Sequence, residues 1–444
     1  MSERNGAVLK RLSGGLVMRR STPADADRLP DFNGRIHGDN PFETQGLAVW
    51  TRDLLTRPHP TFNSDDFIIV EDTQSGEIVS SLNLISQTWA YEGIPFGVGR
   101  PELVGTNPEY RGRGLVREQF EIMHEWSRQR GELVQVITGI PFFYRQFDYE
   151  MALELGGGRG GYEPQVPKLP EGQEEPHCIR PAAETDLDWL MKMYARENER
   201  MMISAVRDVT HWRDELLGKS PENFNRFELR VIETRDGQRV GYLVHPATIW
   251  NAMMPVIRYE LAEGVSYLSV NPTVMRYLWS TGQELARKRE RPLNSFGFWF
   301  GSQHPAYPVA ASRLVFERPT YAYYVRVPDL PAFLTHIGPA LERRLSSSAC
   351  AGHTGELKIS FYRDGVRLVF ENGRLVSAQG WKPKIKADEG MAAFPNLTFL
   401  QLIFGYRSLP ELRYAYADFW ANEEATALLE VLFPKKPSSV WSIS

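Results

Sequence analysis

The residues best suited to chemistry stand in one run, Tyr110-Arg111-Gly112-Arg113-Gly114-Leu115. Two guanidiniums alternate with two glycines directly ahead of a stretch with helical periodicity. The first N–H groups of a helix have no intrahelical acceptor and carry partial positive charge, so a turn of this composition wraps an anion with amides while its arginines neutralise it. Gly112 and Gly114 let the backbone approach closely, and the ligand implied is a pyrophosphate. No Gly-Lys-Ser/Thr follows, so the run is not a Walker loop, and its glycine spacing is not that of a dinucleotide fingerprint.

Such a turn needs a strand to deliver it and a helix to receive it. Val104, Gly105 and Thr106 read as the end of that strand, and Leu115, Val116, Phe120, Ile122, Met123 and Trp126 recur at helical spacing until Gly131. Residues 133–138 resume as a buried, β-branched strand. Upstream, residues 17–20, 66–71 and 78–85 read as further strands, with a helix start at Thr22-Pro23-Ala24-Asp25.

The Gly- and Pro-rich stretch 156–175 reads as a linker or loop. Beyond it the beginning repeats: Arg180 and Asp186 echo Arg19 and Asp25, and residues 266–270, read as a strand, run into Asn271-Pro272 as 104–106 run into Asn107-Pro108. The spacing implies a duplicated α/β unit. The second copy has Thr273-Val274-Met275-Arg276-Tyr277 in place of the glycine turn and is expected to be degenerate. Alternating strands over 356–363, 366–371 and 374–379, separated by Asp364-Gly365 and Asn372-Gly373, open a third texture, followed by helices over 396–404 and 422–432. The expected organisation is therefore a unit over 1–155, the linker 156–175, a second unit over 176–330 and a third over 331–444. Trp441 and Ile443 close an otherwise polar tail, which predicts that the chain end docks.

A chain of 444 residues exceeds one hydrophobic core, in keeping with several units. A net charge of −4 argues against a nucleic-acid binder. Cys178 and Cys350 stand far apart, which excludes a disulfide framework and fits a reducing cytoplasm. No signal peptide or membrane-spanning run is expected, and the nine histidines show no metal-ligand spacing, so no metal is expected.

The strand, Pro108 and the Arg111–Gly114 turn resemble the acetyl-CoA-binding motif of the GNAT N-acetyltransferase superfamily, Arg/Gln-x-x-Gly-x-Gly/Ala. Arg111 and Gly114 match it, and Val116 stands where the final small residue belongs. The run from Thr138 to Tyr149 resembles the Tyr-x-x-Phe-Gly-Tyr stretch of the Eis-type acetyltransferases, with Asp148 in place of glycine. The three textures also follow the Eis-like order: an active GNAT domain, a degenerate GNAT domain and a sterol-carrier-protein-like domain. The resemblance implies an α/β (α+β) fold of tandem GNAT units and acetyl-CoA as co-substrate. Its binding residues would be Val104, Gly105, Thr106, Arg111, Gly112, Arg113, Gly114, Leu115, Val116, Arg117, Gly139 and Ile140. Gly139 stands where some members have serine.

In the same family a tyrosine protonates the departing thiolate and the C-terminal carboxylate accepts the amine proton, roles that fall here on Tyr144 and Ser444. Tyr149 reads as core. The implied acceptor is a primary amine, such as an aminoglycoside or a lysine side chain, and the implied assembly is a homotrimer or hexamer, with no nucleic-acid or membrane partner. Two rival readings use the same scaffold without catalysis. One is a lipid- or hydrophobe-binding protein using the apolar residues between Phe394 and Phe404, and the other is an acetyl-CoA-sensing regulator.

Overall fold

The computed structural model describes residues 6–384 and 388–444; residues 1–5 of the first expected unit and 385–387 of the third lie outside the described residues. A large sheet is built from β1 (Val8–Arg11), β2 (Leu16–Arg20), β3 (Phe67–Asp72), β4 (Ile78–Tyr91), β5 (Ile94–Thr106), β6 (Val134–Ile137) and β7 (Glu150–Leu155). Helices α1 (Leu29–His37) and α2 (Pro41–Thr56) bury Phe32, Leu47, Trp50 and Leu54 with Phe67, Ile69 and Ile85 of the sheet. Helix α3 (Leu115–Gln129) buries Leu115, Phe120, Met123 and Trp126 with Met18, Val70, Leu82 and Leu84. Covered on both sides, β3 and the first half of β4 read as continuous runs of buried residues rather than as alternation.

Strands β1 to β5 pair antiparallel in sequence order. The parallel pairing of β5 with β6 is confined to Val98↔Val134 and Gly99↔Gln135, although β5 continues to Thr106. The sheet therefore parts from Arg100 onward, leaving one edge of β5 unpaired beside the end of β6.

Ten further strands follow in the chain: β8 (Gly158–Tyr162), β9 (His177–Pro181), β10 (Ile203–Ala205), β11 (Phe227–Thr234), β12 (Arg239–Pro246), β13 (Met253–Val256), β14 (Arg258–Leu261), β15 (Ser295–Phe298), β16 (Phe316–Arg318) and β17 (Tyr321–Arg326). They form the sheets β14-β12-β11-β9 and β13-β15-β8-β16, while β10 pairs with β4. β17, assigned from the sequence to the second unit, enters the first sheet between β6 and β7. The last five-stranded sheet holds β18 (Gly355–Ser360), β19 (Gly365–Glu371), β20 (Arg374–Trp381), β21 (Ala392–Ala393) and β22 (Trp420–Ala421). Its core is continuous with the first sheet: Trp89, Val98 and Val136 join Phe333, Leu368 and Phe404 in one buried cluster.

Two local expectations are corrected. The stretch 156–175 is not a plain linker, because β8 lies inside it; side chains at Gly160 and Gly161 would collide with Phe316, Phe296 and the Arg313 carbonyl, so the glycines serve close packing. Residues 266–270 are not a strand. Ser266 caps the helix Tyr267–Lys288 by accepting from the Leu268 N–H, and Pro272 sits within that helix. The serine cap outweighs the apolar run.

The other half of the echo is a matched pair of clusters. The Arg19 guanidinium donates to both Asp25 carboxylate oxygens at 2.8 and 2.9 Å and to Glu71 at 2.8 Å. Arg180 does the same to Asp186 at 2.6 and 3.0 Å and to Glu233 at 2.7 Å. Asp25 and Asp186 each also accept a backbone N–H three residues upstream, from Thr22 and Ala183.

Candidate functional site

β5 ends where the Asn107 N–H donates to the Val79 carbonyl at 2.9 Å. The Tyr110 hydroxyl then donates to Asp72 at 2.7 Å, and the Arg113 guanidinium lies 4.6 Å over the Tyr110 ring. That bond from Tyr110 is the main reason the Asp72 carboxyl is held below its ordinary range. Gly112 and Gly114 have φ of 76° and 78°, and a Cβ at either would meet nothing within 4 Å. The glycines are thus required by backbone conformation, not by crowding.

The first bond of α3 runs from the Glu118 N–H to the Gly114 carbonyl. Upstream of it, the N–H groups of residues 112–117 find no acceptor among the described residues. Arg111, Arg113 and Arg117 are exposed, and among the described residues none pairs with a carboxylate. Six amides and three cations at one helix start suit a pyrophosphate, and the open space at both glycines admits it.

The strand before the turn is irregular. Register shifts between Ser81 and Asn83, and Leu103 takes the left-handed φ of 52°, which marks a bulge beside the opening in the sheet. Gly105 passes beneath α1, where a Cβ would lie 2.5 Å from Ile36 and 2.9 Å from the His37 ring. Leu115 is buried and Val116 packs partly buried against the α3 core, so the departure from a small residue is absorbed on the core side of the helix.

Beyond β6 the chain turns at Gly139, whose φ of 140° is one that side chains rarely adopt. A Cβ here would stand 3.2 Å from the Tyr144 ring and 3.5 Å from its hydroxyl, which explains glycine at this position. Asp148 takes φ of 64°, the left-handed conformation that glycine adopts freely, so the replacement keeps the backbone. Tyr144 is buried among Phe120, Phe143, Tyr149 and Tyr324. Burial, reinforced by the negative potential of Glu102 and Tyr324, pushes its phenol well above the ordinary value, so it keeps its proton across neutral pH. Among the described residues its hydroxyl has no hydrogen-bond partner. Tyr149 is fully buried with its hydroxyl 3.0 Å from His124 Nε2.

The chain end docks. Trp441 packs against Tyr194, Trp212 and Phe227, with the Arg207 guanidinium 3.9 Å over its ring. Arg207 also donates to the Trp441 and Ser442 carbonyls, while Gln87 and Arg100 both donate to the Ile443 carbonyl. Ser444 is buried, with its hydroxyl 3.5 Å from the Lys219 ammonium. It lines a cleft of about 470 Å³ with Arg100, Thr138, Glu154, Trp299 and Tyr323. Tyr144 does not line this cleft. The two are linked through the chain itself, since Thr138 lines the cleft and the next residue, Gly139, lies against Tyr144.

Sequence reasoning missed the supports. Tyr321 and Tyr324 of β17 donate to the Gly139 and Ile140 carbonyls at 3.4 and 3.3 Å, and Tyr323 bonds the Ser442 hydroxyl at 3.0 Å. The Tyr321-Ala322-Tyr323-Tyr324 run was the available signal, although nothing in it says which sheet it joins. His37, Gln87, Arg100 and Arg207 carried none. Ile140 and the neighbouring Phe142 are exposed at the tip of the loop. Among the described residues no cluster of His, Cys, Asp and Glu is arranged to hold a metal ion, and no helix is long and apolar enough to cross a membrane.

Residues 34–152 match the family model described as an acetyltransferase (GNAT) domain, a stretch that takes in the end of α1, the parted strands, the glycine turn and the Tyr144 loop. No curated protein sequence matches the chain. Solved structures do. A conserved protein of Enterococcus faecalis, described as a probable N-acyltransferase, matches with a TM-score of 0.65 at 13% identity, over 97% of this chain and 100% of that one. Eis1 from Mycobacterium abscessus matches with 0.59 at 13% identity, over 96% and 99%. The N-myristoyltransferase of Saccharomyces cerevisiae, solved with bound myristoyl-CoA, matches with 0.50 at 11% identity, over 72% and 80%. At these identities the likeness is one of fold: a mixed α/β architecture shared with GNAT acyltransferases.

Proposed function

We propose that this chain is an acetyl-CoA-dependent N-acetyltransferase that transfers the acetyl group directly to a primary amine. The observation that carries the reading is the run of unpaired amides at residues 112–117, set where β5 and β6 part and flanked by unpaired arginines. The family match over residues 34–152 and the acyl-CoA-binding neighbour support an acyltransferase.

In this reading Arg111, Arg113 and the turn amides hold the pyrophosphate, and the free edge of β5 at Val104, Gly105 and Thr106 aligns the pantetheine arm. The thioester supplies the activated acyl carbon. The amine attacks it, a C–N bond forms and the C–S bond breaks; the Tyr144 phenol gives its proton to the departing thiolate and the Ser444 carboxylate takes one from the amine, directly or through water. Solvent exchange then restores both groups. The closing test is thiol release from acetyl-CoA against a panel of amines with mass spectrometry of products, beside a thermal-shift titration with acetyl-CoA. No acetyl-CoA-dependent rise in Tm and no amine-dependent thiol would refute it.

A second reading has one observation in its favour. The expected apolar stripe divides: Leu397, Phe399 and Leu400 line a cavity of about 540 Å³ with Leu330, Phe361 and Trp381, whereas Phe394, Leu402, Ile403 and Phe404 are core. A fatty acyl ligand that raises Tm more than acetyl-CoA does would favour hydrophobe binding over transfer.

A further inference from the structure

We propose that the amine acceptor also carries an anionic group, a carboxylate or a phosphate, which Arg291 and Arg318 hold at the outer end of the cleft; this rests on the transfer reading above. The cleft that Ser444 lines continues past Leu155, Gly156, Phe227, Trp250 and Trp299 into an outer chamber of about 420 Å³. Its outer wall presents Arg291 and Arg318 against a single carboxylate, Glu43, whose Oε2 accepts from the Asp39 N–H at 3.2 Å. Arg318 lies 5.4 Å from the Trp299 ring and Arg291 5.9 Å from the Phe42 ring, so both planar groups are held on aromatic walls. Neither has a carboxylate within ion-pair distance among the described residues. Arg289, 4.2 Å over the same Phe42 ring, adds a third cation nearby. Burial first, and then Arg291 beside it, lowers the pKa of Arg289, while Glu222 opposes the shift.

At the inner end the cations are compensated, and the Lys219 ammonium beside Ser444 pairs with Glu215. The arginines there are engaged: Arg100 pairs with Glu102 and donates to the Ile443 carbonyl, and Arg258 pairs with Glu197 and donates to Ser439. Glu154 lines the inner end and is held by the Ser302 N–H at 2.7 Å, in the same cleft as Ser444. The lining therefore runs from paired cations with Glu154 beside Ser444 to unpaired cations in the second chamber, past Trp250 and Trp299. A molecule with an amine at one end and an anion at the other matches both ends. A polycation such as an aminoglycoside meets unpaired arginines at the entrance, and like-charge contact of this kind rejects partners.

The test pairs each acid with its neutral or cationic counterpart: a dipeptide against its C-terminal amide, O-phosphoethanolamine against ethanolamine, and spermidine as polycation, all with acetyl-CoA and full-length chain. The acids are expected to exceed their counterparts about tenfold in kcat/KM, as one partly exposed charge-assisted contact implies. The dipeptide and phosphate arms tell which anion is preferred. In the Arg291→Gln/Arg318→Gln double variant the acid-to-neutral ratio should fall toward one, and Arg318→Lys should retain most of it. A ratio near one in the unaltered chain, a preference for spermidine, or a ratio indifferent to the double variant overturns the proposal. Titration of tryptophan fluorescence with the same compounds separates this proposal from the transfer reading. Acid-selective quenching that the double variant abolishes supports the anion site even where no thiol is released, and charge-blind quenching overturns it even where transfer occurs.

Discussion

Replacing Trp441 by alanine should loosen the chain end and slow turnover together. The ring is only 4% exposed, in a cage of Tyr194, Trp212, Phe227 and the Arg207 guanidinium. A buried tryptophan hides about 150–250 Å², which at about 25 cal/mol/Å² amounts to roughly 4–6 kcal/mol of transfer free energy. Measured truncations of this kind cost about 3–5 kcal/mol, since partial collapse recovers some of it. Unfolding entropy of about 2.1 cal/mol/K per residue, over the 444 residues of this chain, converts that to a fall in Tm of roughly 3–5 °C if the chain melts as one unit. Differential scanning calorimetry reads the shift, and carboxypeptidase resistance reads whether residues 442–444 stay seated. In thiol-release assays kcat for the amine should drop while the acetyl-CoA thermal shift is kept, because Trp441 lies away from the glycine turn. A Tm change below about 1 °C with unaltered carboxypeptidase resistance would refute the claim that this ring anchors the tail.

Three further outcomes are expected. Tyr144→Phe should lower kcat about a hundredfold, the usual weight of a positioned acid, with acetyl-CoA affinity retained; equal turnover removes the acid role from Tyr144. Gly114→Ala forces a side chain onto a φ of 78°, at a cost of about 1–2 kcal/mol, so calorimetric titration should show acetyl-CoA binding weakened about tenfold. Burial holds His124 and His304 at about 3 and His59 and His245 at about 4, below the ordinary 6.5. A lowered folded pKa gives stability that is present above 6.5 and lost as pH falls toward the folded value, so each ring costs roughly 1.4 kcal/mol by pH 5.5. Tm should decline steadily from pH 6.5 to 4, and a flat profile down to pH 5 would show that these rings are not held neutral.

How much of this was legible depended on whether a residue's partner lay nearby in sequence. The glycine turn, α3 and the strands before it follow from local spacing; β2, β3 and α3 formed within a few residues of the expected bounds, whereas β4 runs on from the expected end at residue 85 to Tyr91. The docking of the tail was legible from Trp441 and Ile443 alone, because two large apolar side chains in a polar end need a surface to cover them. Its destination was not: Gln87 and Ile443 are 356 positions apart, and neither type advertises the other. β17 is apolar and aromatic, yet its place between β6 and β7 depends on an edge that only the assembled sheet exposes. The error at residues 266–270 had a local cause, since a serine cap and an apolar run compete there and the cap decided.

In the transfer reading the anion site occurs once, although the Arg-Asp-Glu cluster of its scaffold occurs twice. The Arg19-Asp25-Glu71 and Arg180-Asp186-Glu233 clusters persist because each pins a helix start to two strands, and removing one partner strands a carboxylate. The turn is tied to the sheet ahead of its glycines, by Tyr110 to Asp72, but the glycines themselves make no packing contact: nothing lies within 4 Å of a Cβ placed at Gly112 or Gly114. Replacing these glycines gives up no packing, and the corresponding residues of the second unit lie in the helix Tyr267–Lys288. The first unit has two left-handed glycines, neither in packing contact, and six amides without an acceptor among the described residues. Retaining a conformation that costs backbone entropy without returning packing is accounted for by a ligand outside the chain. Meanwhile the second unit supplies β17, whose tyrosines hold the Gly139 and Ile140 carbonyls beside Tyr144. In the transfer reading this makes β17 a positioning element, so Tyr324→Phe should disturb the Tyr144 loop and lower kcat without weakening acetyl-CoA binding at the turn.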